Sequence, residues 1–377
     1  MSWSAPRIAS RTGAAHRRRG IACQDCGGWV RIEGGAWVMA VADGHGNARH
    51  RCSRDGSRLA CEVALEQIAA WFVERSAAGL DGAEKEFTAE GAAWQELAER
   101  IVGGWQEQVW LHFQETPGVG ADPLAAAESF TPLLYGTTLG LVLLTPRWWA
   151  HTGLGDWDLV RVEADGQASL LSQEGELGGG GEATASLCLA DAALRFSERT
   201  EVHPLRAGDP PFSLLLSTDG IRKSCGSDAD FLTLAAYLVE HGGGAEEHAE
   251  ESLRADLDRI SGQGSGDDVT VAIARWGMAG LGAQRCAPPP ERRILLCQPG
   301  WEGGERTDSL ALPGRFEPAP PRSRQGRMVW VVAFLLLLVI SYAGSAWLVR
   351  RFPGGSGGGS ERYDPFSPSV SKEVRSV

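Results

Sequence analysis

The chain has 377 residues, of which 43% are hydrophobic and 22% charged, so it can bury a core and is neither wholly disordered nor collagen-like. Its formal net charge of −12 argues against a general nucleic-acid binder, whose surface would be basic. The charge is uneven, because residues 313–377 carry a net +5 and the rest of the chain a net −17. The length exceeds that of one ordinary domain, so we expect a folded body with appendages.

Short apolar runs bounded by Gly, Asp or Pro predict β-strands. They lie at residues 37–42, 138–144, 148–153, 212–217 and 269–276. Apolar residues recur at helical spacing in three other segments, at 61–72, 94–109 and 253–260. Because the helices come between groups of strands and do not alternate with each strand, the pattern predicts an α+β fold and not a doubly wound sheet.

Residues 328–349 form a run of 22 residues without a charge. A helix of this length covers the roughly 30 Å hydrocarbon layer of a membrane, so we expect one transmembrane helix. Arginines flank the run on both sides and leave its orientation open. Cysteines without a disulfide pattern, and the lack of an amino-terminal signal, favour a cytoplasmic body held at the inner cell membrane.

The segments around this helix have the composition of connectors. Residues 277–327 are rich in Pro and Gly and predict a linker, interrupted only by 293–297 (RILLC), which is either a short strand or a docking patch. Residues 350–377 predict a flexible polar tail. The folded body is therefore expected over residues 1–276.

Carboxylates stand at or near the ends of the predicted strands. They are Asp25, Asp43, Asp156, Asp219, Asp267 and Asp268. An Asp-Gly pair after a strand is a common turn, so one of them alone says little. Several in this arrangement predict a shared site, and oxygen ligands of this kind suit a hard cation such as Mg²⁺ or Mn²⁺.

The order of these motifs resembles that of the metal-dependent PPM (PP2C-type) serine/threonine protein phosphatases, and more closely their bacterial branch. The resemblance covers about residues 8–276 and begins with TGAAHRRRGIACQDC near the amino end. Its further motifs are DGHG at 43–46, GTT at 136–138, GD at 155–156, STDG at 217–220 and GDDVT at 266–270. The resemblance implies a four-layer αββα sandwich, in which two antiparallel sheets are flanked by helices.

The resemblance also implies two Mn²⁺ or Mg²⁺ ions and a third, weaker one. The implied metal residues are Asp25, Asp43, Gly44, Asp156, Asp219 and Asp267. Asp43 would bridge the two main ions, the Gly44 carbonyl would bind one of them, and Asp219 with Asp267 would complete the shell of the other. Asp25 would act through water, and Asp156 with Asp219 would hold the weaker ion. Asp268 is expected to support Asp267 and not to bind metal.

A water held between two divalent ions loses a proton near neutral pH, and the hydroxide can attack phosphorus in line with the leaving oxygen. The resemblance therefore implies direct hydrolysis of phosphoserine and phosphothreonine in proteins, with Asp43 and His45 as the catalytic residues. His45 would protonate the leaving oxygen. The alternative interpretation is that His45 is only part of a turn and has no catalytic role. Arg19 and His16 are the candidates for gripping the substrate phosphate, although Arg19 is shifted from the family's arginine position.

The sequence thus predicts a membrane-tethered phosphatase whose substrates are phosphoproteins, such as the targets of a bacterial serine/threonine kinase. A non-catalytic phosphoprotein-binding or scaffold module of the same fold is the alternative. The retained Asp43, Asp219 and Asp267 argue against it, and the altered arginine segment keeps it open. A metallohydrolase of another phosphate monoester or diester is a second alternative.

Overall fold

The structure, a computed structural model, describes residues 1–77, 92–116, 130–172, 185–206, 208–242 and 249–277, and the backbone of 292–296. These residues all belong to the first of two units of the chain, Met1–Ser309. The predicted transmembrane helix at 328–349, the tail and most of the predicted linker lie outside the described residues. Among the helices that are described, none is long and apolar enough to cross a membrane.

The strands of the described chain form two antiparallel sheets. In chain order they are β1 (Arg7–Arg11), β2 (Asp25–Ile32), β3 (Ala36–Asp43), β4 (Leu139–Leu144), β5 (Trp148–Leu154), β6 (Asp158–Glu163), β7 (Ala168–Leu170), β8 (Glu201–Pro204), β9 (Phe212–Ser217), β10 (Val269–Trp276) and β11 (Arg292–Leu296). One sheet has the order β1-β10-β9-β6-β7 and the other the order β11-β2-β3-β4-β5-β8. The five predicted strands are confirmed, with ends that differ by a residue or two.

Helices cover the outer faces of both sheets. They are α1 (Ala14–Arg19), α2 (Ser53–Ala77), α3 (Ala92–Glu115), α4 (Ala192–Glu198), α5 (Asp228–Gly242) and α6 (Ala249–Gln263). α2, α3 and α4 pack on the six-stranded sheet, while α5 and α6 pack on the five-stranded one. The helical segments predicted at 61–72, 94–109 and 253–260 are the middle parts of α2, α3 and α6.

The inner core lies between the two sheets and is rich in tryptophan. Trp29 and Trp149 from one sheet and Trp276 from the other are buried in it. Burying such a side chain removes roughly 150–250 Å² from water, which makes these residues major contributors to stability. The layers confirm the predicted α+β sandwich of two antiparallel sheets with flanking helices.

One strand falls inside the predicted linker. The backbone of β11 pairs with β2 in antiparallel register, with Ile294 opposite Gly28. Of the two alternatives for this segment, the short strand is therefore the observed one. The exact end of the folded body at residue 276 stays a prediction.

Candidate metal-binding site

The two sheets bring their acidic strand ends together at one edge of the sandwich. Asp25 begins β2 and Asp43 ends β3, and the antiparallel register places them directly opposite each other. Thr218, which follows β9 in the other sheet, donates a hydrogen bond from Oγ1 to Asp25 Oδ2 at 2.8 Å. This bond joins the acidic ends of the two sheets in a single site.

The surroundings of Asp25 and Asp43 destabilise the charged form of both carboxyls. Burial raises the pKa of Asp25 well above its usual range, and the charge of Asp268 adds to the effect. Burial also raises the pKa of Asp43, with further contributions from Asp25 and Asp267. Within the described chain, the buried Oδ1 atoms of Asp25 and Asp219 accept no well-formed hydrogen bond. A buried carboxylate oxygen without a hydrogen bond destabilises the fold unless a bound cation or a proton neutralises its charge.

The GTT motif fixes the backbone around Asp43. Thr137 donates from Oγ1 to the Asp43 carbonyl at 2.8 Å, and the Asp43 N–H donates to Thr138 Oγ1 at 3.0 Å. Gly44 forms an isolated bridge with Thr137. A Cβ at Gly44 would lie 2.7 Å from the Ser53 carbonyl oxygen, so only glycine fits this turn. The Gly44 carbonyl as a metal ligand stays a prediction.

Lys223 connects two of the predicted metal ligands. Its Nζ lies 2.7 Å from Asp219 Oδ2 and 3.3 Å from Asp267 Oδ2. Burial raises the pKa of Asp219 to about 9, Asp43 and Asp156 contribute in the same direction, and Lys223 opposes them. Although burial works against it, the neighbouring Asp219 and Asp267 raise the pKa of Lys223. The lysine thus supplies a fixed positive charge beside the ligands.

Asp156 extends the site into an open cleft. Its carboxyl interacts with that of Asp219, and both line the cleft together with Asp158, Arg222 and Lys223. Asp158 is buried, and its Oδ1 lies 3.2 Å from the Arg222 guanidinium. Burial raises the pKa of Asp158 to about 7, and Arg222 opposes this shift. The third ion predicted for Asp156 and Asp219 would lie in this cleft, and it stays a prediction.

We call Asp25, Asp43, Asp156, Asp219 and Asp267 the carboxylate cluster. They are predicted metal residues, and the structure brings them together from five separate positions along the chain. Their number and oxygen chemistry fit divalent cations such as Mg²⁺ or Mn²⁺, which several carboxylates must neutralise.

Asp268 has a separate, structural task. Its Oδ1 accepts a hydrogen bond from the Gly13 N–H at 2.6 Å and lies 2.9 Å from His16 Nδ1. Its Oδ2 accepts from the Gln24 N–H at 2.7 Å. Because its oxygens are occupied by these groups, Asp268 ties the amino-terminal segment to the strand end of Asp267, in keeping with its predicted supporting role.

The two candidates for phosphate binding differ in their surroundings. His16 is held by Asp268, whose hydrogen bond raises the pKa of the imidazole although burial opposes it. Arg19 is exposed at the end of α1. Among the described residues the Arg19 side chain forms no ion pair, whereas Arg17 Nη1 lies 2.9 Å from Asp258 Oδ1. The phosphate-gripping role of both residues stays a prediction.

His45 packs against a second histidine. The two rings of His45 and His50 have centroids 4.9 Å apart, and the His45 N–H donates to the Gly136 carbonyl at 3.1 Å. A Cβ at Gly136 would lie 2.3 Å from His50 Nδ1 and 2.9 Å from His45 Cδ2. Burial lowers the pKa of His45 to about 4, and His50 and Lys223 contribute while Asp156 opposes them. The imidazole is therefore neutral at pH 7 in the free protein.

The family model for protein phosphatase 2C matches residues 12–258 of this sequence. The chain belongs to the protein phosphatase 2C family. The match spans the strand ends that form the carboxylate cluster except for Asp267, which lies beyond its last residue. Comparison with the curated proteins gave no match.

Several solved bacterial phosphatases resemble the structure at low sequence identity. The serine/threonine phosphatase of S. agalactiae is 17% identical with a TM-score of 0.42, over 72% of this chain and 98% of that one. PstP/Ppp of Mycobacterium tuberculosis is 14% identical with a TM-score of 0.41, over 73% and 98%. Stp1 from Staphylococcus aureus is 16% identical with a TM-score of 0.42, over 73% and 96%. The family assignment rests on the family model and not on these similarities.

Sequence reasoning missed three residues of this phosphatase 2C site, namely Asp158, Arg222 and Lys223. Lys223 follows Asp219 by four residues, which in a helical turn places the two side chains on the same side. This spacing of four residues could have predicted that Lys223 lies beside Asp219. Trp157, which stands between Asp156 and Asp158, turns away from the cleft and is buried in the core between the sheets.

Proposed function

We propose that this chain is a metal-dependent protein serine/threonine phosphatase that hydrolyses phosphoserine and phosphothreonine in proteins. The observation that carries the proposal is the carboxylate cluster, in which the buried Oδ1 atoms of Asp25 and Asp219 accept no well-formed hydrogen bond within the described chain. Mn²⁺ or Mg²⁺ is the proposed cofactor, with two main ions and a third, weaker one near Asp156 and Asp219. When bound, such ions supply an activated water and offset the charge of the phosphoryl oxygens.

The residues of the chain have distinct tasks in this proposal. Asp43, Asp219 and Asp267 hold the ions, and Thr137 with Thr138 keeps the backbone of Asp43 in place. Lys223 reduces the repulsion among the carboxylates and leaves a net negative site that attracts cations. These groups orient a phosphate ester at the mouth of the cluster without forming a covalent bond to it.

His45 is proposed to give a proton to the leaving serine or threonine oxygen. Because burial lowers the pKa of His45 to about 4, the free enzyme holds it as neutral imidazole. A bound phosphate dianion would raise that pKa by direct charge attraction. His45 would then take up a proton when the substrate binds, and it could donate this proton to the leaving oxygen as a general acid.

Arg19 is the proposed grip on the substrate phosphate, with His16 beside it. Arg19 is exposed and a guanidinium can bind two phosphate oxygens at once. His16 is already engaged by Asp268, which supports a positioning role for it at the amino-terminal segment.

The decisive experiment is hydrolysis of p-nitrophenyl phosphate and of a phosphothreonine peptide, with and without Mn²⁺. The proposal expects metal-dependent turnover that Asp43→Ala abolishes and the exposed control Asp165→Ala retains. Bound metal without turnover would favour the non-catalytic binding module. Turnover of small esters with none of the peptide would favour a metallohydrolase of another phosphate ester.

We further propose that residues 328–349 anchor the enzyme at the inner membrane with its catalytic domain in the cytoplasm, near the targets of a bacterial serine/threonine kinase. Anchoring raises the effective concentration of the enzyme toward membrane-bound phosphoproteins. Deletion of residues 313–377 should release the enzyme from membrane fractions and slow the dephosphorylation of such partners in cells. Unchanged location and rates would refute the tether and leave the phosphatase activity untouched.

A further inference from the structure

A second cluster of metal-ligand side chains lies away from the carboxylate cluster, at the edge strand β8 of the six-stranded sheet. In the pairing of β5 with β8, His151 stands opposite Glu201 and Trp149 stands opposite His203. Side chains two residues apart on a strand point to the same face. His151, Glu201 and His203 therefore share one face at the end of the sheet, and we call them the histidine–glutamate site.

The three side chains converge on one point. The Nε2 atoms of His151 and His203 lie 3.6 and 3.8 Å from the same oxygen, Glu201 Oε2. One ligand atom from each side chain lies within 4.8 Å of the other two. In a tetrahedral zinc site with bonds of about 2.0–2.1 Å, neighbouring ligand atoms lie about 3.4 Å apart. A small rotation of Glu201, whose side chain is 63% exposed, would close the site around an ion.

The nitrogens that face this point lack hydrogen-bond partners. His151 is only 2% exposed, yet neither of its ring nitrogens has a partner, and His203 Nε2 has none among the described residues. Buried polar atoms are ordinarily satisfied by protein, water or an ion. Burial lowers the pKa of His151 to about 3, with His203 and Arg199 contributing, so the imidazole is neutral and its lone pair is free to bind a metal.

Aromatic neighbours hold the two imidazoles in position. Trp149 stacks on His203 with centroids 3.9 Å apart and an interplanar angle of 13°. Trp157 meets His151 edge to face at 6.0 Å. Packing in the core would explain why the two imidazole rings are buried. It does not explain why their ring nitrogens lack hydrogen bonds or why both face the same Glu201 oxygen.

We propose that His151, Glu201 and His203 bind one transition-metal ion of the Zn²⁺ class, with water as the fourth ligand. Two imidazoles and one carboxylate suit Zn²⁺, whereas Mg²⁺ and Mn²⁺ prefer oxygen ligands such as those of the carboxylate cluster. The ion joins the short edge strand β8 to β5, so its role is to stabilise the sheet edge. The positive charges of Arg161 and Arg199 nearby weaken the site without removing its ligands.

The test measures Zn²⁺ binding to the untagged full-length protein by competition with a chromophoric chelator. Glu201→Gln and His203→Gln are the test variants, because both side chains are more exposed than His151 and their replacement disturbs the core less. Each should weaken binding of one Zn²⁺ at least about tenfold, since even substitutions outside the ligand shell cost that much at metal sites. Glu198→Gln and His241→Gln, both exposed, are the matched controls and should bind as the unchanged protein does.

Co²⁺ provides a second readout, because its visible absorption is strong in tetrahedral sites and weak in octahedral oxygen sites. The proposal expects a tetrahedral spectrum that Asp43→Asn retains and His203→Gln loses. Equal Zn²⁺ affinity in all four variants, or a tetrahedral spectrum that depends on Asp43 and not on His203, would overturn it. Neither measurement uses phosphatase activity, so the result is independent of the proposed function.

Discussion

Lys223 and Asp219 form an ion pair at the carboxylate cluster, with 2.7 Å between Nζ and Oδ2. An ion bound by Asp219 must share this carboxylate with the ammonium. We therefore expect Lys223→Met to lower the Mn²⁺ concentration for half-maximal activity by about 3–10-fold, a modest factor because the lysine side chain is half-exposed. Lys223→Arg keeps the charge and is the control. A higher Mn²⁺ requirement in Lys223→Met would mean that the lysine assists metal binding.

Asp43→Asn should separate stability from activity. The substitution removes a half-buried carboxyl whose charged form is disfavoured by burial and by the charges of Asp25 and Asp267, so the metal-free protein should become more heat-stable. Activity should fall by about 1,000-fold or more, which corresponds to about 4 kcal/mol of lost transition-state stabilisation. Calorimetry with a chelator and assays with Mn²⁺ measure the two effects. A less stable metal-free variant would contradict the repulsion argument.

Asp158 should contribute a loss of stability to the metal-free protein as the pH rises from about 4 to about 7. Burial raises the pKa of Asp158 to about 7, whereas a free aspartate titrates near about 3.9. Between these values the folded state keeps a proton that the unfolded chain has released, so the free energy of unfolding decreases with pH. Asp158→Asn should flatten this dependence in urea denaturation with a chelator, and the exposed Asp165→Asn should not. An unchanged slope in Asp158→Asn would refute the assignment.

His45→Ala should affect poor leaving groups most. If His45 protonates the leaving oxygen, its removal should slow hydrolysis of a phosphoserine peptide by about 10²–10⁴-fold. p-Nitrophenolate leaves readily without a proton, so hydrolysis of p-nitrophenyl phosphate should fall far less. The ratio of the two rates is an internal control for folding and metal content. An equal loss of rate for both substrates would show that His45 does not protonate the leaving oxygen.

Two helical glycines should respond oppositely to alanine. A Cβ at Gly56 in α2 would lie 2.0 Å from the Tyr135 carbonyl oxygen, directly before the GTT motif that fixes Asp43. Gly56→Ala should lower the free energy of unfolding by several kcal/mol, at least about 2, and reduce activity. Gly103 in α3 has open space around it, so Gly103→Ala should stabilise by about 0.5–1 kcal/mol. Chemical denaturation measures the change in the free energy of unfolding for both variants. Similar changes in the two variants would contradict the close contact between Gly56 and Tyr135.

The sandwich and its acidic strand ends could be predicted because the strands that carry them are continuous apolar runs. β3, β4 and β9 are buried along their whole lengths, apart from the terminal Asp43, and their sequences have the composition of strands. β2 carries no clear strand signal in the sequence, because Gly27 and Gly28 interrupt its apolar residues. A Cβ at Gly27 would lie 2.7 Å from Ile8 Cδ1, so a larger residue there would have to displace the Ile8 side chain of the other sheet.

The histidine–glutamate site could not be predicted from the sequence, because about fifty residues separate His151 from Glu201 and β8 is only four residues long. The register of an edge strand depends on tertiary packing and leaves almost no signal in so short a segment. Lys223 is different, since its spacing from Asp219 is local.

The opposition of Asp25 and Asp43 is a matter of strand register. The two strands that carry them are joined by a short turn at Glu33–Gly35, and a side chain changes face with every residue of slippage. An insertion in that turn that shifted the register by one residue would move Asp25 and Asp43 out of alignment, even though the turn lies at the far end of the hairpin. The pairing of the two aspartates therefore depends on the geometry of a turn at the opposite end of the hairpin as well as on the residues themselves.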